Sequence, residues 1–295
     1  MHIFGGLLML KRSTIQLLRF RFSLFLTPVF FFALSTLEDI HWGRALLVFC
    51  ILHLLVYPAS NGYNSYMDRD ESPIGGIAKP QQPTRQLFYI TIFMDVLAVA
   101  LGILISPYFA AGIFLYILAS RSYSYRGIRL KKYPVPAYLT VIVFQGAVTF
   151  ALVYHGSDIS NSTDFPVLPL IAASLLIGGF YPLTQIYQHE ADRNDGVLSI
   201  SAQLGYRGTF IFCAIIYSLA MGCLGIWYYQ SQDLNKFFLL TTLLLPVVVF
   251  FLKWGIEVWR DISAANFNNT MRMNVVASLC SSIAFITLII WKQFE

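Results

Sequence analysis

Two trios of oxygen-bearing side chains stand out in a chain that is poor in charge. Asn61, Asn64 and Asp68 are separated by three and then four residues, and Gln185, Gln188 and Asp192 repeat that spacing. On an α-helix the spacing puts each trio on one face over two turns, so each becomes a ladder of oxygen ligands. Asp70 and Glu71 follow the first ladder, and Glu190 and Asp195 surround the second. Clustered oxygen donors with few His or Cys suit a hard cation such as Mg²⁺, which takes one or two carboxylates together with water and substrate phosphates. The ligands are too scattered for a metal alone, but a metal with a diphosphate accounts for them. Asn64, Asp68 and Asp192 are the expected metal donors, and Gln188 joins them as a catalytic candidate. Asn61 and Gln185 are placed with the substrate.

Each trio lies inside a longer repeated pattern. Residues 57–69 read YPASNGYNSYMDR and residues 181–193 read YPLTQIYQHEADR, sharing Tyr, Pro, Tyr, Asp and Arg. Upstream of each ladder stands a proline, Pro58 or Pro182, which frees a backbone carbonyl and tends to kink a helix. Kinked helix pairs open cavities in bundles.

A diphosphate also needs cations. The stretch SPIGGIAKPQQPTRQ supplies Lys79 and Arg85 beside the first ladder, and SYSYRGIRLKKYP supplies Arg126, Arg129, Lys131 and Lys132. Arginine forks and lysine point charges both bind phosphate oxygens. Lys79 and Lys131 are the foremost candidates, with Arg126 beside them.

The elements that must hold these residues are membrane helices. Of 295 residues 57% are hydrophobic and only 12% charged, against about 25% charged in an average soluble domain. A spanning helix needs roughly 20 mostly apolar residues. Nine stretches qualify, near 20–38, 44–62, 86–106, 108–122, 136–155, 166–188, 209–230, 236–255 and 273–291. Such runs are too long for barrel strands, so the expected fold is all-α and polytopic. The first stretch continues past the apolar core of a cleavable signal peptide and is kept as a span.

The net charge of +5 reflects basic loops on one side of the membrane rather than nucleic-acid binding. Lys and Arg cluster before the first span and after every even one, which puts the N-terminus and both ladders on the cytoplasmic side of a cell (inner) membrane. Cys50, Cys213, Cys223 and Cys280 fall within apolar stretches without paired spacing and read as small buried hydrophobes. The two ladders end even-numbered spans on the same side. That arrangement suggests one domain over 1–295, built as four-helix repeats at about 20–135 and 136–255 with a ninth helix added.

These residues resemble the UbiA superfamily of intramembrane prenyltransferases. The first pattern is similar to that family's first aspartate-rich motif at Asn64 and Asp68, with Ser65 and Ser72 where further aspartates are expected. The second resembles its second motif at Asp192 and Gly196, with Gln188 in place of an aspartate. Tyr123 to Lys132, YSYRGIRLKK, is similar to the Tyr-Ser and Leu-Lys stretch after the fourth helix, and Ala78-Lys79-Pro80 to a basic-residue-proline step.

The resemblance implies nine helices around a central cavity open sideways to lipid. It implies Mg²⁺ and an isoprenyl diphosphate held by both motifs, and a lipophilic acceptor, aromatic in character, that captures the allylic cation. Tyr63, Tyr66, Tyr123 and Tyr187 are candidates for its aromatic lining. Three missing carboxylates imply weakened or single-metal occupancy. A terpene cyclase shares the ionisation step, and a transporter or lipid-binding protein would explain the repeat without chemistry.

Three further features complete the reading. Asp95 lies mid-span with no cation at helical spacing, and His53 reads as a satisfied core histidine. The segment EVWRDISAANFNNTMRMN carries Asn266, Asn268, Asn269 and Arg272. It serves either to close a cavity and shape an acceptor pocket or as a polar loop with a helix start.

Overall fold

A computed structural model describes residues 10–294, and among these the only β-pairing is two isolated bridges, Ile40 with Asp158 and Ile74 with Ile77. The rest is helix and connection. In chain order the α-helices are α1 (Arg12–Leu17), α2 (Phe20–Ser23), α3 (Thr27–Thr36), α4 (Trp42–Phe49), α5 (Tyr57–Asp68), α6 (Arg85–Ile103) and α7 (Pro107–Ser124). They continue with α8 (Pro134–Ile142), α9 (Thr149–Ser157), α10 (Val167–Gln185), α11 (His189–Asn194), α12 (Ile200–Gln230), α13 (Leu234–Arg260) and α14 (Phe267–Lys292). Two π-helical segments, Cys50–Val56 and Val143–Val148, join α4 to α5 and α8 to α9 without a break in helical course.

Eight helical stretches among the described residues are long and apolar enough to cross a membrane. They correspond to eight of the nine expected spans. The fourth, near 108–122, exists as the 18-residue helix α7 but falls outside that set. Its last turns carry Ser120, Arg121, Ser122 and Ser124, which dilute an otherwise apolar sequence.

Two compact units make up the chain. The first comprises the chain up to Leu24 together with Leu46–Leu130. Its core gathers Leu17, Leu18, Ala59, Ile74, Leu87 and Met94, so α1, α5, α6 and the 72–84 loop share one apolar centre. That loop is pinned by Gln16, whose carboxamide donates to the Lys79 carbonyl at 3.3 Å and accepts from the Gln81 N–H at 2.9 Å.

The second unit comprises Phe25–Ala45 with Lys131–Glu295. In it α10 packs along α12, α13 along α14, and α3 against α9 and α14. Gly146, in the second π-helical segment, makes a close approach possible: a Cβ there would stand 2.5 Å from the Ser174 Cα on α10. In α12, Gly205 adopts φ +71°, a conformation that costs glycine little. A short helical turn therefore precedes the long span that the sequence places at 209.

Candidate active site

The first trio sits on an unbroken helix. Pro58 falls in the first turn of α5, directly after the π-helical segment, where the wider helical turn takes up the missing proline N–H. Asn64 donates from Nδ2 to the Asp68 carboxylate at 2.8 Å and to Ser124 Oγ on α7 at 3.1 Å. Ser124 is 2% exposed, so this hydroxyl fixes the carboxamide from inside the unit. Asn61 diverges: its carboxamide donates to Ser23 Oγ at 3.4 Å, while Arg19 donates to its backbone carbonyl at 3.0 Å.

Asp68 ends α5, since Arg69 turns into the left-handed region at φ 54° and takes Asp70 and Glu71 off the helix. Arg126 donates to the Met67 carbonyl at 2.8 Å and reaches the Asp68 carbonyl at 3.5 Å. A guanidinium there completes orphan carbonyls and complements the negative end of the helix. Arg126 is thus exposed and engaged with the backbone of the motif. Lys79 is exposed in its pinned loop, and Tyr123 is half-buried one residue before Ser124.

Behind this arrangement lies an ion pair that sequence reasoning missed. Arg121 lies within α7. Its guanidinium pairs with Asp95 on α6, donating from Nε at 2.9 Å, and also donates to the Thr91 carbonyl at 3.3 Å. The cation that Asp95 lacked along its own helix comes from the neighbouring one. Two opposite charges in consecutive apolar stretches were the available signal. Arg121 also covers the Tyr63 ring at 3.9 Å. Tyr63 is buried beneath it and is not part of an open aromatic lining. Tyr66 packs on Phe88 with ring centres 5.2 Å apart. His53 is a core histidine, as expected, its Nδ1 at 3.1 Å from the Ser23 carbonyl and its ring stacked on Phe49.

The second trio is not on one α-helical face. Pro182 lies inside α10, which ends at Gln185, and a 3₁₀ turn over Ile186–Gln188 leads into α11. The tighter 3₁₀ winding breaks the 3.6-residue register. Gln185 is buried, donating to Tyr181 Oη at 2.9 Å and approached by the Ser201 N–H at 3.5 Å. It belongs to an interior polar network in which His189 Nε2 lies 2.8 Å from Ser201 Oγ and Ser201 Oγ lies 3.0 Å from Thr209 Oγ1. Gln188 and Asp192 remain partly exposed. The Asp192 carbonyl accepts from the Val197 N–H at 2.8 Å, and the next residue, Leu198, donates to the Lys132 carbonyl at 3.4 Å. The turn holding Lys131 and Lys132 therefore runs beside the segment that follows Asp192. Tyr187 packs edge-on against Phe267 at 5.3 Å.

The 257–274 segment holds the polar connection between α13 and α14 and the first turns of α14, and its last residues, Met273 and Asn274, line a hollow in the second unit. Asp261 accepts from the Ser263 N–H at 2.9 Å, and Asn266 caps α14 by accepting from the Asn269 N–H at 3.0 Å. Trp254 and Asn269 both donate to the Ala264 carbonyl. All four cysteines are free, but only Cys213 is buried.

Among the described residues no group of three or more His, Cys, Asp or Glu side chains could hold a metal ion by itself. A Mg²⁺ ion bound mainly through substrate phosphates and water needs no such cage. Asp68, steadied by Asn64, fits that donor role.

The sequence model of the UbiA prenyltransferase family matches residues 24–276. The chain belongs to this family. Its fold is that of solved UbiA homologs. One from Archaeoglobus fulgidus, bound to DMAPP and Mg²⁺, is 16% identical with a TM-score of 0.69, over 94% of this chain and 99% of the other. The apo UbiA homolog of Aeropyrum pernix K1 is 18% identical with a TM-score of 0.66, over 91% and 98%. A digeranylgeranylglyceryl phosphate synthase structure is 14% identical with a TM-score of 0.60, over 96% and 99%. No curated protein matches the chain in sequence. The family match takes in both trios, Ser124 and the basic 126–132 stretch.

Proposed function

We propose that this chain transfers an isoprenyl group from a prenyl diphosphate to a lipophilic acceptor within the membrane, in a Mg²⁺-dependent reaction. The observation that carries this reading is the family match over residues 24–276. A homolog of the same fold, seen with GPP and Mg²⁺, supports the choice of donor and ion. We take α7 as a ninth span around a central cavity, with both motifs and the N-terminus cytoplasmic, as the distribution of Lys and Arg favours.

Asn64, Asp68, Gln188 and Asp192 are assigned to the diphosphate end, with Asp68 and Asp192 as the carboxylates that would hold the ion together with phosphate oxygens. When bound, Mg²⁺ supplies Lewis-acid stabilisation of the departing diphosphate. Asn64 keeps the Asp68 carboxylate oriented through its 2.8 Å hydrogen bond. Lys79, Lys131 and Arg126 balance phosphate charge, and Arg126 also holds the end of α5. Apolar helix faces exclude water, so the allylic cation meets the acceptor before it meets solvent. Tyr123 is retained as a substrate contact. Asn61 and Gln185 act by positioning, since each is tied into its own unit.

The test is prenyl-diphosphate turnover with and without Mg²⁺ in the wild type, Asp68→Ala and Asp192→Ala. We expect each substitution to lower turnover by roughly 10²–10³-fold. Unchanged turnover in both variants refutes the assignment.

A further inference from the structure

The carboxylate of the second trio stands on a helix that cannot hold itself in place. α11 spans six residues, His189–Asn194, fewer than the roughly 12–15 that an isolated helix needs to be even marginally stable in water. A 3₁₀ turn precedes it, and Gly196, two residues after it, turns the chain away at φ +67°. Its placement must therefore come from contacts with the rest of the unit. His189 is its one buried residue, 6% exposed, whereas Glu190 to Asn194 are all partly or fully exposed. The imidazole lies against the Tyr206 ring, with centres 4.6 Å apart.

The hydrogen bonds that leave this ring run in one direction. Thr209 Oγ1 lies 2.7 Å from the Gly205 carbonyl and 3.2 Å from the Ser201 carbonyl. Carbonyls only accept, so the single Thr209 proton goes to them. The 3.0 Å contact between Thr209 Oγ1 and Ser201 Oγ is then donated by Ser201, which uses its own proton there. The 2.8 Å contact between Ser201 Oγ and His189 Nε2 is left for the histidine to donate. The ring thus carries a hydrogen on Nε2, and three bonds in series tie α11 to the Gly205 carbonyl. That carbonyl belongs to the residue at which α12 leaves helical geometry.

We infer that His189 is a positioning residue for the diphosphate end of the site: through Ser201 and Thr209 it fixes the rotation of α11, and with it the direction in which Asp192 presents its carboxylate. The inference rests on the prenyl-transfer reading and extends it to three side chains outside both trios. His189 and Asp192 are three residues apart, so a turn of this short helix at the imidazole is carried directly to the carboxylate. The Val197 N–H donates to the Asp192 carbonyl at 2.8 Å and steadies the backbone. The His189 chain sets how that backbone is turned about its axis. Groups that orient a ligand in this way without touching the ion typically change affinity by about 10–100-fold.

The experiment has two arms, both on the full-length protein in lipid nanodiscs. In the first, binding of a non-hydrolysable prenyl thiodiphosphate is titrated against Mg²⁺. Ser201→Ala and His189→Leu are each expected to raise the Mg²⁺ concentration for half-maximal binding by about tenfold. Ser201→Thr keeps the hydroxyl and His189→Gln keeps an Nε2 donor, so both should stay within about twofold of the wild type. In the second arm, ¹⁵N spectra of histidine-labelled protein, with the His189 signals assigned by their loss in His189→Gln, should show a hydrogen on Nε2.

A bare Nε2 in the wild type overturns the inference, because the chain of bonds would then run the other way. An unchanged magnesium requirement in Ser201→Ala also overturns it, even with a lowered unfolding midpoint, since the network would then be packing alone. Ser201→Ala removes a single oxygen and decides the matter should His189→Leu fail to fold. A wild type that binds the analogue but releases no diphosphate from a prenyl diphosphate defeats the transfer reading and leaves the positioning result standing. A wild type that does not bind the analogue defeats both.

Discussion

Asn64 and Asp68 are joined across one turn of α5 by a 2.8 Å hydrogen bond, and Ser124 on α7 receives a second bond from the same Asn64 nitrogen. The carboxylate proposed to meet Mg²⁺ is therefore oriented by a residue from another helix. Groups of this kind set the geometry of a ligand without touching the ion, and their loss typically costs 10–100-fold in affinity or activity. Ser124→Ala should raise the Mg²⁺ concentration needed for half-maximal turnover by about tenfold. Ser124→Thr, which keeps the hydroxyl, should restore it. Magnesium titrations of both variants make the comparison.

The Asp95–Arg121 pair lies between α6 and α7, with side chains 11% and 15% exposed. Removing one partner of a buried pair leaves an uncompensated charge, at a cost of about 3–5 kcal/mol. Asp95→Leu and Arg121→Leu should each lower the unfolding midpoint sharply in detergent. The double replacement should cost less than the sum. Additive losses would mean that the pair does not couple the two helices.

Gln185 and Gln188 occupy corresponding places in the second pattern, yet the structure separates their roles. Gln185→Leu should destabilise the protein by about 1–3 kcal/mol, since it leaves the Ser201 N–H and Tyr181 hydroxyl short of a partner. KM for the prenyl diphosphate should hardly move. Gln188→Ala should do the opposite, raising KM with the unfolding midpoint unchanged. Paired stability and kinetic measurements on both variants decide the matter.

Asp158 lies in the connection after α9. Burial pushes its carboxyl upward, but hydrogen bonds from the Ser160 side chain and from the Ser162 and Ser160 backbone, with the charge of Arg44, outweigh that and hold it below the usual carboxylate range. A depressed carboxylate adds stability that is present above its unfolded value, about 4, and is lost as pH falls through the lower folded value. Amide exchange in residues 158–162 should therefore quicken only when the medium is acidified below about pH 4. Asp158→Asn should show fast exchange already at neutral pH.

The hydrophobic runs made the helices readable because each span reports its own apolarity, residue by residue. Eight of nine expected stretches have the required length and apolar character. Helical spacing is a property of one helix, which is why the first trio was legible and its supports were not. Ser124 and Arg121 act across helices, and nothing in the α5 or α6 sequence alone announces them. The second trio misled for a different reason: Pro182 signalled a disturbance, but its outcome, a 3₁₀ turn that buries Gln185 and spares Gln188, depends on packing against Ser201 and Tyr181.

The π-helical segment Cys50–Val56 feeds directly into α5. It works as a clocking device, fixing the azimuth at which every later side chain of that helix emerges. Shortening it by a single residue would let the winding close to ordinary α geometry and swing Asn64 and Asp68 around the axis by roughly 100°. Ser124 would then face a different residue altogether. The reactive face of this membrane rod is thus aimed by chain length several turns upstream, in a stretch that carries none of the chemistry itself.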